Sequence, residues 1–178
     1  DKEIDVNTYT GPAITESLIV NEFVDDMFPT PALWPKDPIE RAQARLVIDR
    51  FGNTFIAPFY RTLRSKDAAS LQENVEALKA EMRGLEQLVA KGENDYFIGP
   101  NFSLVDCAIL PFFARMNVLV HYRREAMQWW PKEFPHLHRW FSHASKRPSF
   151  QTCVSEVKAA TGLAWDDFLI KAYEGFAN

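Results

Sequence analysis

The hydrophobic and polar positions follow the 3.6-residue period of α-helices along most of the chain. The clearest pattern begins near Asp67, where apolar residues recur at intervals of 4, 3, 4, 3 and 4 positions. Such a continuous seam predicts one long helix that packs antiparallel against the helix before it. The seam consists of Leu71, Val75, Leu78, Met82, Leu85 and Val89.

A second long helix is predicted to begin at Asp37, because aspartate is a good N-cap and Pro38 suits the first helical position. Pro58 falls inside this helix and is expected to kink it, since proline removes a backbone donor. The apolar stripe of this helix consists of Leu46, Val47, Phe51, Phe55, Phe59 and Leu63.

The most hydrophobic segment of the chain begins with Ser103 and Asp106, which have the spacing of a capping box with Asp in place of Glu. The positions that follow are apolar nearly all round, so this helix is expected at the centre of a bundle. Arg115 lies near the end of the segment, where a charge has to be paired or face a cleft.

The N-terminal part predicts a separate helix from about residue 14 to 28, with an apolar stripe that includes Leu18, Ile19 and Phe23. The following stretch, FPTPALWPKDP, has four prolines in eleven residues and predicts a stiff, extended connector between two packing units. Before this helix, Ile4 and Val6 alternate with polar residues and are compatible with one short strand.

The C-terminal part predicts three further amphipathic helices. They run from Pro135 to about Lys146, over a shorter stretch after Pro148, and from about Trp165 to Phe176. The sequence therefore predicts an all-α protein with five to six helices after the connector.

Composition and charge narrow the function. The chain has 178 residues, 47% hydrophobic and 25% charged, which is typical of one soluble domain. A net charge of −4, without a Lys/Arg cluster, argues against nucleic-acid binding. No apolar run approaches the roughly 18 residues of a membrane span, and the start of the chain does not have the pattern of a signal peptide.

The metal-ligating and nucleophilic residues predict little chemistry by themselves. Two cysteines make neither a disulfide framework nor a metal set, which favours a reduced, cytoplasmic setting. No two of the four histidines have the i, i+4 spacing of a helical metal site. Cys107 is interpreted as a small buried hydrophobe. Cys153 lies on an amphipathic helix, where a reactive role stays open. The C-terminal aromatic residues are interpreted as core residues: Trp165, Phe168 and Tyr173.

Glu16 and Ser17, at the start of the first helix, allow two interpretations. One is ordinary helix capping by Thr15 or Ser17. The other is capture of a small carboxylate by the free amides and the Ser17 hydroxyl, with Glu16 holding a neighbouring ammonium group. The two residues alone leave both interpretations open.

Five segments stand out in order along the chain: ITESLIVNEFVDDMFP, LWPKDPIERAQARLVID, NFSLVDCAILPFFAR, FPHLHRWFSHASKRPSF and WDDFL. Together and in this order they resemble the cytosolic glutathione transferase family, and its omega-like branch in particular. The resemblance covers about residue 11 to the end. The first segment resembles the last helix of the family's thioredoxin-like domain, the second its interdomain linker and next helix, and the third its central capping motif. The fourth resembles a late helical segment and the fifth the omega-like C-terminal extension.

The resemblance implies a division of the chain and a set of site residues. Residues 1–28 would be the end of the thioredoxin-like domain, 29–37 the linker, and 38–178 the all-helical C-terminal domain. Glutathione would be the co-substrate and a hydrophobic small molecule the second ligand, in a homodimer without metal, nucleic acid or membrane. Glu16 and Ser17 would bind the γ-glutamyl end of glutathione, and the hydrophobic-substrate pocket would contain Phe59, Tyr60, Phe112, Arg115 and Trp165.

One family feature cannot be placed in this sequence. The residue that handles the glutathione thiol is a cysteine in omega-like members and otherwise a serine or tyrosine, near the start of the thioredoxin-like domain. Residues 1–15 contain neither cysteine nor serine, and Tyr9 is too close to the Glu-Ser helix. The sequence is therefore expected to be a fragment or a truncated relative, with an apolar stripe on its first helix that needs a cover.

The function implied is a glutathione transferase or a glutathione-dependent thiol transferase, with this chain carrying the hydrophobic-substrate domain. A cysteine nucleophile would favour reductive deglutathionylation through a mixed disulfide, and a serine or tyrosine would favour conjugation. The alternative is a non-enzymatic helical interaction module of the same fold.

Overall fold

The computed structural model describes residues 11, 13–92 and 95–177, and all regular structure in these ranges is helical. The strand proposed at Ile4 and Val6 lies outside the described residues. Within them a short 3-10 helix, Glu125–Met127, lies between the sixth and seventh of nine α-helices. The α-helices are α1 (Ser17–Met27), α2 (Pro38–Thr54), α3 (Ile56–Arg64), α4 (Ala68–Gly92), α5 (Leu104–Phe113), α6 (Met116–Tyr122), α7 (Pro135–Ala144), α8 (Pro148–Thr161) and α9 (Trp165–Ala177).

The kink predicted at Pro58 is present as a break between α2 and α3 at Phe55. Proline has no N–H for the carbonyl four residues earlier, which is Thr54, the last residue of α2. The chain nevertheless continues in the same sense, because the Phe55 N–H still bonds the Phe51 carbonyl at 3.0 Å. The apolar stripe therefore runs on across the break.

The predicted number of helices was too low. In the described part of the chain, eight α-helices follow the connector, because the break at Phe55 divides one predicted helix in two and α6 begins after the segment that was predicted to end near Arg115. The helix after Pro148 is also longer than α7, with 14 residues against 10, and ends at Gly162 in a left-handed conformation (φ 74°). The period of the hydrophobic residues does not reveal a helix break when the same face of the chain stays buried on both sides of the break.

The core lies where α4 packs on α3 and α7, and where α5 packs on α2 and α7. As predicted, α5 is central and its capping box is present. The fully buried Asp106 carboxylate accepts hydrogen bonds from the Ser103 N–H (2.8 Å), the Phe97 N–H (2.9 Å) and Trp140 Nε1 (2.7 Å). Asp106, which caps α5, thus also bonds α7 through Trp140 and the loop before α5 through Phe97.

The stretch Leu104–Tyr122 corrects the expectation that no apolar run approaches a membrane span. It has 19 residues and a mean hydropathy of 1.4, enough by length and composition to cross a membrane. However, 61% of that stretch is buried inside the protein, where it forms α5 and α6. The core helix of a globular protein has the same composition, so this is weak support for a membrane span.

Helix α1 lies against the bundle through its polar side. Asp25 is 7% exposed and accepts hydrogen bonds from the backbone N–H groups of Leu33 (2.7 Å) and Trp34 (3.3 Å). Glu22 forms a two-bond pair with Arg45 of α2, at 3.1 and 3.2 Å. These contacts fix α1 beside α2 and α5 without using its apolar stripe.

The apolar stripe of α1 is exposed in this chain, as the family resemblance implied. Its large hydrophobic side chains are between 42% and 70% exposed, which is far more than a packed helix allows. The exposed residues are Leu18, Ile19, Phe23, Val24, Met27 and the following Phe28.

Candidate functional site

The start of α1 has an unusual backbone conformation. Glu16, at the N-cap position, has φ 68° and ψ 114° and is the non-glycine residue with positive φ in the described part of the chain. A residue with a Cβ is disfavoured there, and such strain is found most often at binding and catalytic sites. Glu16 thus differs from an ordinary N-cap residue in its backbone conformation.

The first turn of α1 also has free hydrogen-bond donors. The first intrahelical bond runs from the Val20 N–H to the Glu16 carbonyl at 2.9 Å, and no side chain caps the helix. Ordinary capping by Thr15 or Ser17, the alternative interpretation of the sequence, is therefore not what the structure has. The unpaired N–H groups at Ser17–Ile19 and the positive end of the helix dipole suit an anion.

A cavity of about 460 Å³ lies between α1, the α2–α3 pair and α5. Four of the residues that the sequence assigned to the site line it: Ser17, Tyr60, Phe112 and Arg115. Glu16 directly precedes Ser17 and is exposed to solvent. The structure thus brings the start of α1 and one end of α5 to the same cavity, about a hundred residues apart in sequence.

Two residues assigned to the substrate pocket lie elsewhere. Phe59 is fully buried beneath the cavity, where its ring contacts Tyr60 at 5.4 Å between centroids. Trp165 packs on Phe150 at 5.7 Å, between α8 and α9, and does not line the cavity. Phe59 and Tyr60 are adjacent on one helix, so their side chains point about 100° apart and only Tyr60 faces the cavity.

Among the residues of this region that the sequence analysis did not assign to the site are three with polar side chains. Asn21 and Cys107 line the cavity, and Tyr173 of α9 pairs with Tyr60 through their hydroxyls at 3.3 Å. Helical spacing could have indicated two of them, since Asn21 follows Ser17 by one turn and Cys107 precedes Arg115 by two. Tyr173 gives no such signal, because only the folded chain brings α9 to α3.

Ionisation in the cavity favours neutral hydroxyl and thiol groups. Burial raises the pKa of the Tyr60 hydroxyl, the hydrogen bond with Tyr173 adds to this, and the positive charge of Arg115 partly opposes it. Burial also raises the pKa of the Cys107 thiol to about 11, with the Asp106 carboxylate acting in the same direction. Because the thiolate is the reactive form, Cys107 is a poor nucleophile at neutral pH.

Arg115 contributes the positive charge in the cavity. Its Nη1 donates to the Pro111 carbonyl at 2.7 Å, and the guanidinium lies 5.4 Å from the centre of the Phe112 ring. Its Nε is shielded from solvent and has no hydrogen-bond partner in the described part of the chain. Among the described residues, no three His, Cys, Asp or Glu side chains lie close enough to hold a metal ion.

Comparison with known proteins agrees with this architecture. Residues 68–143 match the family model "Glutathione S-transferase, C-terminal domain". Rat glutathione S-transferase omega-1 is 32% identical over 61% of this chain and 45% of its own length. The crystal structure of glutathione transferase Omega 3C from Trametes versicolor matches with TM-score 0.68 and 30% identity, over 80% of this chain and 59% of that one.

A second Trametes versicolor structure, glutathione transferase Omega 1C, extends the fold comparison to the whole chain. It matches with TM-score 0.75 and 23% identity, over 100% of this chain and 73% of that one. The helical bundle is thus a glutathione-transferase C-terminal domain. In sequence and fold the chain is similar to cytosolic glutathione transferases, and to omega members in particular. It spans about half the length of the curated relatives it matches.

Proposed function

We propose that the protein acts as a glutathione transferase or glutathione-dependent thiol transferase, in the cytoplasm and as a homodimer. Glutathione is the co-substrate, and a hydrophobic or glutathionylated small molecule is the second substrate. In this proposal residues 1–28 end a thioredoxin-like domain, 29–37 form the linker and 38–178 form the helical domain. The exposed stripe of α1 is then the surface that the rest of the thioredoxin-like domain covers.

The observation that carries this proposal is that Ser17 lies both at the start of α1 and in the wall of the cavity. It is the first residue of α1, where amides are unpaired, and it also lines the 460 Å³ cavity. A γ-glutamyl carboxylate at the helix start would therefore be bound next to a second ligand in the cavity. Glu16, beside it, supplies the opposite charge for the ammonium group of the same γ-glutamyl end.

Chemistry at the sulfur requires a residue that stabilises the glutathione thiolate. Cys107 does not suit this role because its own pKa is about 11. We infer that this residue belongs to the thioredoxin-like domain. The 178-residue chain by itself should therefore show no appreciable conjugation or thiol transfer, and robust turnover by it would contradict the inference.

The test is a calorimetric titration of glutathione into a form of the protein with a complete thioredoxin-like domain ahead of α1. Ser17→Ala should weaken binding about tenfold or more, because a charge-assisted hydrogen bond contributes roughly 1.5–3 kcal/mol. Glu16→Gln should also weaken it. Ser155→Ala, the same change on the exposed face of α8, is the matched control and should leave the affinity unchanged.

Equal affinities of wild type and Ser17→Ala would contradict the proposed role of the helix start. If the protein binds no glutathione at all while its bundle remains folded, the alternative of a non-enzymatic interaction module would be favoured. The exposed apolar face of α1 is the feature of this chain that suits such a module.

A further inference from the structure

The C-terminal ends of three helices meet at the half-buried side chain of Arg123, which directly follows α6. Its nitrogen Nη2 donates to the carbonyl of Leu63, near the end of α3, at 2.5 Å. The same nitrogen donates to the carbonyl of Ala177, the last residue of α9, at 2.9 Å. Nη1 donates to the Tyr122 carbonyl, at the end of α6, at 3.0 Å. A single guanidinium nitrogen therefore bridges α3 and α9.

This bridge supplies a donor and a positive charge that α9 itself does not have at its end. The last carbonyls of a helix have no partner within it, and they carry the negative end of the helix dipole. Over its described span, Trp165–Ala177, helix α9 has no basic residue in the last turn, and only two of its 13 residues are buried. With so little buried surface, the docking of this end of α9 depends on the Arg123 bridge.

The same two helices meet at the wall of the cavity, about one turn before the bridge. Tyr60 lies three residues before Leu63 on α3, and Tyr173 lies four residues before Ala177 on α9. The two tyrosine hydroxyls are 3.3 Å apart, and the rings are stacked with 6.3 Å between their centroids. At a rise of about 1.5 Å per residue, the tyrosine pair lies roughly 4.5–6 Å from the bridge along each helix. Loss of the bridge should therefore reach the tyrosine pair.

We propose that Arg123 is a positioning residue for the cavity, although its side chain is not part of the cavity lining. By bridging α3 and α9 it holds Tyr173 against Tyr60, and this contact fixes the cavity wall at Tyr60. The proposal goes beyond the proposed function, because it concerns the wall itself and requires no ligand. Without the bridge, the end of α9 should separate from α3 and leave the Tyr60 hydroxyl exposed to solvent.

Ionisation of Tyr60 reports on this contact. Burial is the main cause that raises the pKa of the Tyr60 hydroxyl, and the hydrogen bond with Tyr173 raises it further. The positive charges of Arg115 and Arg64, which also face Tyr60, act in the opposite direction. Separation of α9 would reduce the burial and remove the hydrogen bond, whereas both arginines belong to other parts of the bundle and would remain. The pKa of Tyr60 should then fall.

The experiment compares Arg123→Met with Arg124→Met in the 178-residue chain. Arg124 is the next residue and is exposed, so its variant has the same change of charge while the bridge stays intact. Amide hydrogen exchange measures the docking of α9. NMR of the ring carbon that bears the tyrosine hydroxyl measures the titration of Tyr60, whose signal is identified by its absence in Tyr60→Phe.

Arg123→Met should accelerate exchange in the last turn of α9 about tenfold or more, while exchange in α5 stays slow. Tyr60 of this variant should titrate at lower pH than in the wild type, and Arg124→Met should change neither property. Faster exchange in α9 with an unchanged Tyr60 titration would overturn the proposal, because Arg123 would then serve α9 alone. Unchanged exchange in α9 would overturn it too, and so would equal acceleration in α5, since Arg123 would then support the whole bundle.

If Arg123→Met fails to fold, Arg123→Lys is measured in the same way. Lysine keeps the positive charge but lacks the planar set of donors that reaches the carbonyls of three helices at once. A folded Arg123→Lys should therefore show the same two changes to a smaller degree. Wild-type exchange in α9 and a wild-type Tyr60 titration in this variant would equally refute the role of the guanidinium bridge.

Discussion

The Asp25 carboxylate of α1 accepts a hydrogen bond from the Leu33 N–H at 2.7 Å, across the proline-rich connector. The Leu33 carbonyl in turn accepts the N–H of Leu104, the first residue of α5, at 3.2 Å. These two bonds connect α1 to α5, the two helices that contribute Ser17 and Phe112 to the cavity. The position of the helix start at Ser17 thus depends on a carboxylate eight residues further along α1.

Asp25→Ala should loosen α1 from the bundle, because it leaves two backbone N–H groups without their charged acceptor. Amide hydrogen exchange within α1 should accelerate about tenfold or more, while exchange in α5 stays slow. The exposed neighbour Asp26 is the control, and Asp26→Ala should leave α1 protected. Equal acceleration in the two variants would show that Asp25 does not fix the helix.

Asp106→Ala should lower the free energy of unfolding by more than the loss of a helix cap alone would. The cap alone predicts about 1 kcal/mol, but the fully buried carboxylate also serves Phe97 and Trp140. We expect a loss of about 3 kcal/mol or more in urea unfolding, because buried donors are left unpaired. The matched control is Asp37→Ala, an exposed N-cap that bonds only within α2 and should cost about 1 kcal/mol. Similar losses for the two would contradict the central role of Asp106.

The outer face of α1 should tolerate polar substitution in this chain. Ile19→Ser and Phe23→Ser remove side chains that are 57% and 46% exposed, so the free energy of unfolding should change by less than about 0.5 kcal/mol. Self-association, measured by sedimentation velocity, should decrease because an apolar patch is removed. Leu137→Ser, in the core, should instead cost several kcal/mol. A comparable loss in the α1 variants would place this face in the core.

The two cysteines should differ in their reactivity with iodoacetamide. Cys153 is exposed, whereas burial raises the pKa of Cys107 from 9.0 to about 11. Near neutral pH this shift lowers the thiolate fraction of Cys107 about a hundredfold, so Cys153 should be alkylated first. The Cys107 rate should rise with pH up to about 11, which peptide mass spectrometry of Cys153→Ser can follow. A rate for Cys107 that levels off near pH 9 would contradict the raised pKa.

The sequence by itself determined the features that depend on neighbours a few residues apart. The Asp37–Pro38 start of α2, the seam of α4 and the capping box of α5 each arise from interactions within one or two turns, and the structure has all three. The apolar stripe of α1 was also predicted, because its residues repeat with a helical period, whereas its exposure was inferred from the family resemblance. The family resemblance, which rests on five local segments, is confirmed as well.

Only the tertiary structure decided which of these residues meet. Phe59 lies in the core, whereas its neighbour Tyr60 lines the cavity. Trp165 does not line the cavity, but Cys107 does, and Tyr173 bonds to Tyr60. The tertiary structure also gives Asp106 partners at Phe97 and Trp140 that no local spacing predicts. The physical reason is that periodicity determines how the side chains of one helix are arranged around its axis. Which side faces a cavity depends on the helices that pack against it, and these come from distant parts of the chain.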